Sequence, residues 1–204
     1  MKDEVPFCKY SIGGITTEKV LLHSCCAPCS STCLERLTTD YEIYDYFYNP
    51  NITNKAEYEY RRDELIRLIN EMPHENPIYF IDGGFDDKLF FEAVKGLEDC
   101  PERGERCKVC FRLRLLAAAR KCKELSLDGF MTTLTLSPLK DADLLNKIGE
   151  EVGNETGVKY IPSNFKKKDG YKRSIELSKE YDLYRQNFCG CVFSRRKEEE
   201  NEES

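Results

Sequence analysis

The 204-residue chain lacks the features that would place it in a membrane or direct it out of the cell. It contains no apolar run that approaches the ~18 residues needed to span a bilayer. Its opening residues, MKDEV, lack the basic and then apolar pattern of a secretory signal peptide. Internal repeats and long low-complexity segments are also absent. We therefore expect a cytoplasmic protein without a membrane partner.

Histidine is scarce as well, with only two in the chain. His23 falls within a predicted buried strand, where a histidine is more often a hydrogen-bonded core residue than a ligand. His74, in the polar stretch MPHE, is typical of a surface position. Neither residue predicts a metal site.

Cysteine, in contrast, occurs eleven times. In a reducing compartment, clustered cysteines bind metals or carry out redox chemistry more often than they form structural disulfides. Three groups contain eight of them: Cys25, Cys26, Cys29 and Cys33; Cys107 and Cys110; Cys189 and Cys191. The remaining three, Cys8, Cys100 and Cys122, stand alone, and we interpret them as packing residues.

Strand-like segments alternate with helical periodicity, which predicts an α/β fold with a mostly parallel sheet. The predicted strands are Lys19–Ser24, Tyr41–Tyr48, Pro77–Asp82, Phe130–Leu136 and Val158–Ile161. The predicted helices are Ser31–Thr38, Lys55–Asn70, Phe85–Lys95, Phe111–Leu125, Asp141–Val152 and Ser174–Arg185. We expect one Rossmann-like (HUP-like) domain over residues 1–204, irregular up to residue 18. Within it, residues 162–197 form a basic loop and helical segment packed on the sheet, and residues 198–204 a frayed acidic tail.

The rest of the chain is organised around residues 20–30, VLLHSCCAPCS. This stretch predicts a buried strand that leads through a thiol-bearing turn into a helix capped by Ser30. Ligands of open α/β sheets bind outside the carboxyl ends of the strands, which is where these thiols lie. Cys107 and Cys110 also precede a predicted helix and reach the same rim if their loop leaves the third strand.

Four thiolates at helix N-termini suit either a structural zinc ion or an iron–sulfur cluster. Spacing alone pairs Cys26 with Cys29 and does not distinguish between the two metals. The position at the substrate-binding edge of the sheet favours a redox cofactor. Cys189 and Cys191 are too close in sequence for a stabilising disulfide, so a strained, reducible bond or a pair of ordinary thiols are the alternatives.

Charge is distributed unevenly along the chain. The formal charge of −6 argues weakly against general nucleic-acid binding, yet residues 159–197 carry a local +7. This indicates a localised contact with a polyanion, although each lysine alone is more typical of a solvated helix face. The basic residues that we single out are Lys166, Lys167, Lys168, Lys172, Arg173 and Arg185.

Several motifs resemble those of the QueH-type epoxyqueuosine reductases, in family order from residue 22 to residue 194. They are HSCCAPCS at 23–30, FYNPNI at 47–52, CxxC at 107–110 followed by RL at 112–113, TTL at 132–134, SP at 137–138, NFKK at 164–167, GY at 170–171 and LYRQNFCGC at 183–191. The resemblance implies reduction of the epoxide of epoxyqueuosine in tRNA to the cyclopentene of queuosine, the last step of queuosine biosynthesis. It further implies that no cobalamin takes part.

The resemblance also implies site residues. The ligands that it implies for a [4Fe–4S] cluster are Cys25, Cys26, Cys107 and Cys110. It makes Cys189 and Cys191 a disulfide-forming pair. This ligand set replaces the pairing of Cys26 with Cys29 that spacing favours, and it leaves Cys29 and Cys33 spare.

Removal of an epoxide oxygen takes two electrons and two protons, so the site needs an electron source and an acid. We hypothesise an additional metal ion beside the cluster, with iron as a candidate, held by a spare thiol such as Cys29 or by a carboxylate. The carboxylate candidates at the end of the third strand are Asp82, Asp86 and Asp87, although helix N-termini attract acidic residues anyway. The expected partners are the tRNA anticodon loop, with stacking on Tyr48, Tyr171 or Tyr184, and an unidentified electron donor.

Three other functions are alternatives to epoxide reduction. An ATP-dependent tRNA-thiolating enzyme would need a glycine-rich loop after the first strand, where Pro28 and the thiols leave none, so we expect no ATP. A thiol–disulfide oxidoreductase would not explain Cys107 and Cys110. A non-enzymatic zinc module that binds nucleic acid predicts a colourless, zinc-containing protein.

Overall fold

The computed structural model describes residues 17–194. The predicted lead-in before residue 17, Cys8, the basic residues 195–197 and the predicted acidic tail lie outside these residues. None of the helices within 17–194 combines the length and the hydropathy that crossing a bilayer would require.

Four parallel strands form the sheet, in the order β3-β2-β1-β4. They are β1 (Glu18–Ser24), β2 (Tyr41–Phe47), β3 (Ile78–Asp82) and β4 (Gly129–Thr132). β1 lies between β2 and β4, and Val20, Leu21 and Leu22 on it are fully buried. Because the chain adds β2 and β3 on one side of β1 and β4 on the other, the strand order reverses beside β1. A ligand-binding crevice is expected at this point.

Helices cover both faces of the sheet, which confirms the predicted Rossmann-like α/β fold. The helices are α1 (Ala27–Leu37), α2 (Lys55–Glu71), α3 (Asp87–Ala93), α4 (Glu105–Glu124), α5 (Ala142–Thr156) and α6 (Gly170–Glu180). On one face, α1 and α2 pack on Val20 and Leu22. On the other, α4 and α5 pack on Leu21 and Phe130.

The first helix begins earlier than the sequence predicts. Cys26 is the N-cap residue in extended conformation, and Pro28 lies in the first turn, where a missing N–H costs nothing. Ser30 is therefore not the cap: it lies inside α1, and its hydroxyl donates to the carbonyl oxygen of Cys26 at 3.0 Å. This correction places the first thiols directly at a helix N-terminus.

The fourth helix also begins earlier, at Glu105 rather than at Phe111. Cys107 and Cys110 thus lie in its first two turns and not in the preceding loop. Their spacing of three residues puts both on one face of α4.

The fourth strand is shorter than predicted, because residues 133–136 form a 3-10 helix. The Thr132 hydroxyl accepts the Leu134 N–H at 3.1 Å, and this local bond replaces the sheet ladder. The predicted strand Val158–Ile161 contributes only an isolated bridge between Tyr160 and Phe130. The third helix is shorter at both ends than predicted, and α6 begins at Gly170 and ends at Glu180.

The segment after residue 162 is attached to the first helix. Arg173 forms an ion pair with Glu35 on α1 at 2.6 Å, and Arg36 donates to the carbonyl oxygens of Lys167 and Lys168. These contacts hold α6 against α1.

Replacing Gly149 by alanine should destabilise the protein, although alanine favours a helix by about 1 kcal/mol over glycine. The added Cβ would lie 2.3 Å from the ring of Tyr160, and such overpacking costs roughly 1–3 kcal/mol. The free energy of unfolding, measured by urea denaturation, should therefore fall. In a Tyr160→Ala background the same replacement should instead stabilise, and an equal effect in both backgrounds would contradict this explanation.

Candidate thiol site at the carboxyl edge of the sheet

A cavity of about 330 Å³ lies where β1 ends. Four elements surround it: the turn from β1 into α1, the start of α4, the loop 137–141 and the segment 185–189. The cysteines that line the cavity are Cys25, Cys29, Cys107 and Cys189, so members of all three sequence groups meet there.

The first group of thiols is compact. The Sγ atoms of Cys25, Cys26 and Cys29 all lie within 4.8 Å of one another, a geometry that can hold a metal ion. The Sγ atoms of Cys25 and Cys26 are 3.7 Å apart. Their place at the N-terminus of α1 favours negative charge, because the helix presents its free N–H groups there.

Hydrogen bonding divides this group into one thiolate and two thiols. Hydrogen bonds from Cys26 and Cys29 hold the pKa of Cys25 well below its usual range. In return, the bond to Cys25 raises the pKa of Cys26 to about 11, and bonds to both neighbours raise that of Cys29 well above its usual range. Cys25 is therefore the member of the group that most readily forms a thiolate, the form of cysteine that binds metals and attacks electrophiles.

One thiol from each of the other two groups is more deeply packed. Cys110 and Cys191 belong to a small apolar cluster with Phe90 and Val94. Burial raises the pKa of Cys110 to about 12 and that of Cys191 to about 11, so both are protonated at neutral pH. Neither is among the residues that line the cavity.

The other members of these two pairs, Cys107 and Cys189, line the cavity itself. The Sγ atom of Cys107 accepts the backbone N–H of Arg103 at 3.2 Å. The Sγ atom of Cys189 accepts from the Asn51 amide at 3.7 Å. The ten cysteines of the described region are free thiols, including the predicted disulfide pair Cys189 and Cys191.

Arg114 is a site residue that the sequence analysis missed. It is 1 % exposed, lies one helical turn after Cys110, and lines the cavity. Its guanidinium donates to the side-chain oxygen of Asn49, and its Nε lies 3.3 Å from Nε2 of His23. No carboxylate within residues 17–194 forms an ion pair with it. A buried cation is stabilised by a nearby negative charge, and the charge of Arg114 in turn helps to lower the pKa of Cys25 on the same cavity.

His23 behaves as a core histidine. It is fully buried, its Nδ1 lies 2.9 Å from the Thr132 hydroxyl, and its Nε2 lies 3.0 Å from the Tyr48 carbonyl oxygen. Burial, and next the charge of Arg114, lower the pKa of His23 to about 3. The ring is therefore neutral and positions its neighbours rather than exchanging protons at neutral pH.

The carboxylates proposed from the sequence are not part of the cavity lining. Asp82, Asp86 and Asp87 do not line the cavity within the part of the chain that the structure describes. The carboxylate of Asp82 accepts the Tyr58 hydroxyl at 2.6 Å and ends β3, which is the edge strand on the far side of β2. The sequence could not reveal this strand order.

The acidic side chains that do line the cavity are Glu102 and Asp141. One of them has a structural role, because Oδ1 of Asp141 caps α5 by accepting the N–H groups of Asp143 and Leu144. Five basic side chains line the same cavity: Arg61, Arg103, Arg114, Lys140 and Arg185. The cavity is therefore rich in positive charge as well as in thiols.

Of the basic residues singled out in the sequence, only Arg185 lines the cavity. It donates to the Ser178 hydroxyl at 2.9 Å and lies 5.9 Å from the centroid of the Tyr171 ring. The Nζ atom of Lys166 donates to the carbonyl oxygen of Lys140 at 2.7 Å. The charge of Arg173 is paired with Glu35.

The other predicted contacts are spread over the surface. Lys172 is exposed, while Lys167 and Lys168 line a second, open groove beside Arg36. Among the aromatic residues proposed for stacking, Tyr171 lines the cavity and is 38 % exposed. Tyr48 is buried, and Tyr184 packs edge-on against Tyr60.

In the reduced, metal-free protein, iodoacetamide at pH 7 should alkylate Cys25 before Cys26, Cys107 or Cys110. The reason is that Cys25 alone among these four has a lowered pKa and therefore the largest thiolate fraction. Peptide mass spectrometry over time measures the order. In a Cys25→Ser variant, labelling of Cys29 should accelerate, because the larger of the two hydrogen-bonding effects that raise its pKa, that of the Cys25 thiol, is gone. Equal rates at all four positions would contradict the assignment.

Comparisons with known proteins identify the family of the chain. The sequence model of the family described as "Epoxyqueuosine reductase QueH" matches residues 20–197. Proteins named Epoxyqueuosine reductase QueH are similar over most of their length. The one from Streptococcus pyogenes serotype M1 is 42% identical over 177 residues, covering 86% of this chain and 69% of that protein.

Two further relatives carry the same name. The protein from Staphylococcus epidermidis is 43% identical over 184 residues, which cover 88% of this chain and 77% of the relative. The protein from Thermotoga maritima is 36% identical over 178 residues, which cover 86% of this chain and 89% of the relative. From the family match and these identities, the chain belongs to the epoxyqueuosine reductase QueH family.

Proposed function

We propose that this oxidoreductase reduces the epoxide of epoxyqueuosine in tRNA to the alkene of queuosine. The observation that carries the proposal is the meeting of thiols from three distant parts of the chain around one cavity at the carboxyl edge of the sheet. Membership of the QueH family supplies the substrate. A cavity that combines thiols with uncompensated cations suits a reductive reaction on an anionic polymer.

We propose Cys25, Cys26, Cys107 and Cys110 as the ligands of a [4Fe–4S] cluster, which when bound would supply electrons one at a time. The donor set fits this group, because Cys25 and Cys26 lie within 4.8 Å of each other and of Cys29, and Cys107 lines the same cavity. The Cys110 thiol lies one turn further along the same face of α4. Cys29 is the spare thiol closest to these ligands and is our candidate for holding an additional iron ion.

The overall reaction consumes two electrons and two protons, because both C–O bonds of the epoxide break, a C=C bond forms, and the oxygen leaves as water. Oxidation of the thiols of Cys189 and Cys191 to a disulfide would release two electrons and two protons. We therefore propose them as a redox pair, which an external electron donor must reduce again. Cys189 reaches the cavity, and Cys191 packs behind it.

The tRNA partner is supported by the charges around the cavity. Arg103 and Arg185 are exposed, line the cavity and make no ion pair within the part of the chain described. Free cations at the mouth of a site bind phosphate groups, and the exposed ring of Tyr171 can stack on an unpaired base. We propose that the anticodon loop enters past this rim and that Lys167, Lys168 and Lys172 contact the flanking backbone.

Anaerobically purified protein should be brown and contain about four iron and four sulfide per chain. It should convert epoxyqueuosine-containing tRNA to queuosine-containing tRNA when a viologen reductant is present, as measured by mass spectrometry of digested nucleosides. Cys25→Ser and Cys107→Ser should lose iron and activity, whereas Cys100→Ser, whose thiol does not line the cavity, should keep both. A colourless protein with one zinc and no conversion would support the zinc-module alternative instead.

The combined variant Lys167→Gln, Lys168→Gln and Lys172→Gln should bind tRNA more weakly than wild type. The slope of log affinity against log salt should fall by roughly one for each phosphate group that the variant no longer neutralises, because fewer counterions are released on binding. Fluorescence anisotropy at several salt concentrations measures both quantities. The control is Lys19→Gln, which should leave the slope unchanged. Lys19 lies near the start of β1, at the end of the strand opposite to the cavity. An unaltered slope in the triple variant would remove these three lysines from the interface.

A further inference from the structure

The loop between β4 and α5 holds one lysine over the thiols. Lys140 lines the cavity together with Cys25, Cys29 and Cys189. Its backbone is fixed from two sides: its N–H donates to the Ser137 carbonyl oxygen at 3.2 Å, and its own carbonyl oxygen accepts from Nζ of Lys166 at 2.7 Å. Nζ of Lys140 makes no ion pair with any residue from 17 to 194. The backbone is thus held firmly while the ammonium group is left available.

The surroundings keep this ammonium charged. Burial lowers the pKa of Lys140, but the nearby thiol groups of Cys189, Cys25 and Cys29, where they ionise, outweigh burial, so the pKa of Lys140 is raised from its ordinary value. The positive charge of Arg114 lowers the pKa of Lys140, but this effect is smaller than that of the thiol groups, and the net shift is upward. Lys140 therefore holds its proton throughout the neutral range.

Several other groups on the cavity are poorly suited to giving up a proton. Guanidinium groups do not deprotonate in proteins, which excludes the four arginines. The carboxylate of Asp141 already accepts two N–H groups of α5. The Cys29 thiol shares its hydrogen with the Cys25 thiolate. Of the three acids considered from the sequence, none reaches the cavity.

We propose that Lys140 is the general acid of the reaction, donating a hydrogen bond and then a proton from Nζ to the departing epoxide oxygen. This inference rests on the proposed function. As two electrons enter from a one-electron donor, both C–O bonds break and the C=C bond forms. The oxygen takes one proton from Nζ and a second from solvent and leaves as water, and solvent then reprotonates the amine. An alkoxide is a far stronger base than an amine, so transfer from an ammonium is favourable, and the charge also stabilises the developing oxyanion.

Two substitutions separate proton donation from charge. Lys140→Met removes both, whereas Lys140→Arg keeps the charge but has no proton to give. In anaerobic single-turnover reactions with a viologen reductant, both variants should react roughly 10²–10⁴-fold more slowly than wild type. Their iron content and circular dichroism should be unchanged. The control Lys147→Met, on the exposed face of α5, should react at the wild-type rate. If Lys140→Arg reacted at the wild-type rate, the role would be charge alone and the assignment as general acid would be wrong.

A binding measurement tests the same interaction without turnover. In the absence of reductant, wild-type protein should bind epoxyqueuosine-containing tRNA several-fold more tightly than queuosine-containing tRNA, because only the former offers an epoxide oxygen to Lys140. Lys140→Met should lose this preference while keeping its affinity for queuosine-containing tRNA, and added methylamine should partly restore its rate. Retention of the preference in Lys140→Met would overturn the inference.

The outcomes distinguish this inference from the proposed function. If the wild type converts epoxyqueuosine-containing tRNA and Lys140→Met does so within a few-fold of that rate, only the role of Lys140 is wrong. If the iron-loaded wild type converts none, the proposed function fails and the inference falls with it.

Discussion

The whole site depends on how the central strand passes into the first helix. β1 is buried on both faces and α1 begins only three residues after it ends, so the chain has no freedom to move the thiols away from the edge of the sheet. Two side chains fix this junction: the Asn49 amide donates to the carbonyl oxygen of Ser24 at 2.9 Å, and the Ser24 hydroxyl donates to Asp45 at 2.9 Å. Because both partners come from β2 or directly after it, pairing of β1 with β2 sets the position of Cys25.

A second constraint is electrostatic. Burying the guanidinium of Arg114 costs several kcal/mol unless an anion compensates for the lost hydration. Its protein partners, Asn49 and His23, are neutral. Negative charge on the thiols of the cavity, whether as free thiolates or as metal ligands, would supply the missing charge. The position of Arg114 on the same face of α4 as Cys107 and Cys110 means that one helix delivers both thiols and the cation to the cavity.

Much of the fold could be predicted from the sequence, because strand formers and helical periodicity are local signals. The helix starts could not be predicted in the same way. The first turns of α1 and α4 are polar or thiol-rich and lack an apolar stripe, so periodicity begins to indicate a helix only after residue 30 and after residue 110. The strand order is not a local signal either, and it is the strand order that removes Asp82 from the site.

The site residues also differ in whether the sequence alone reveals them. The thiols could be identified because clustered cysteines are rare and because their spacing matches a known family. Arg114 and Lys140 carry no comparable signal. Single basic residues are common in any sequence, and because arginine is very rarely fully buried, the sequence alone predicts that Arg114 lies on the surface. Only the packing of α4 on the sheet and of the loop 137–141 over the thiols distinguishes these two from the other lysines and arginines of the chain.

The thiols in the turn after β1 differ from those on α4 in how readily they lose a proton, and this difference bears on how they would bind a cofactor. Hydrogen bonds from Cys26 and Cys29 lower the pKa of Cys25, so its thiolate forms more readily than that of the other thiols even without a metal. The proposed ligands Cys26 and Cys110 have pKa values raised to about 11 and about 12, so a metal must displace a proton from each of them to bind there. A cofactor assembled at this site would therefore be expected to attach first to the turn after β1 and afterwards to α4. The cations of the cavity favour this order, because they already stabilise negative charge beside Cys25, and they remain in place for the oxygen that the reaction must release.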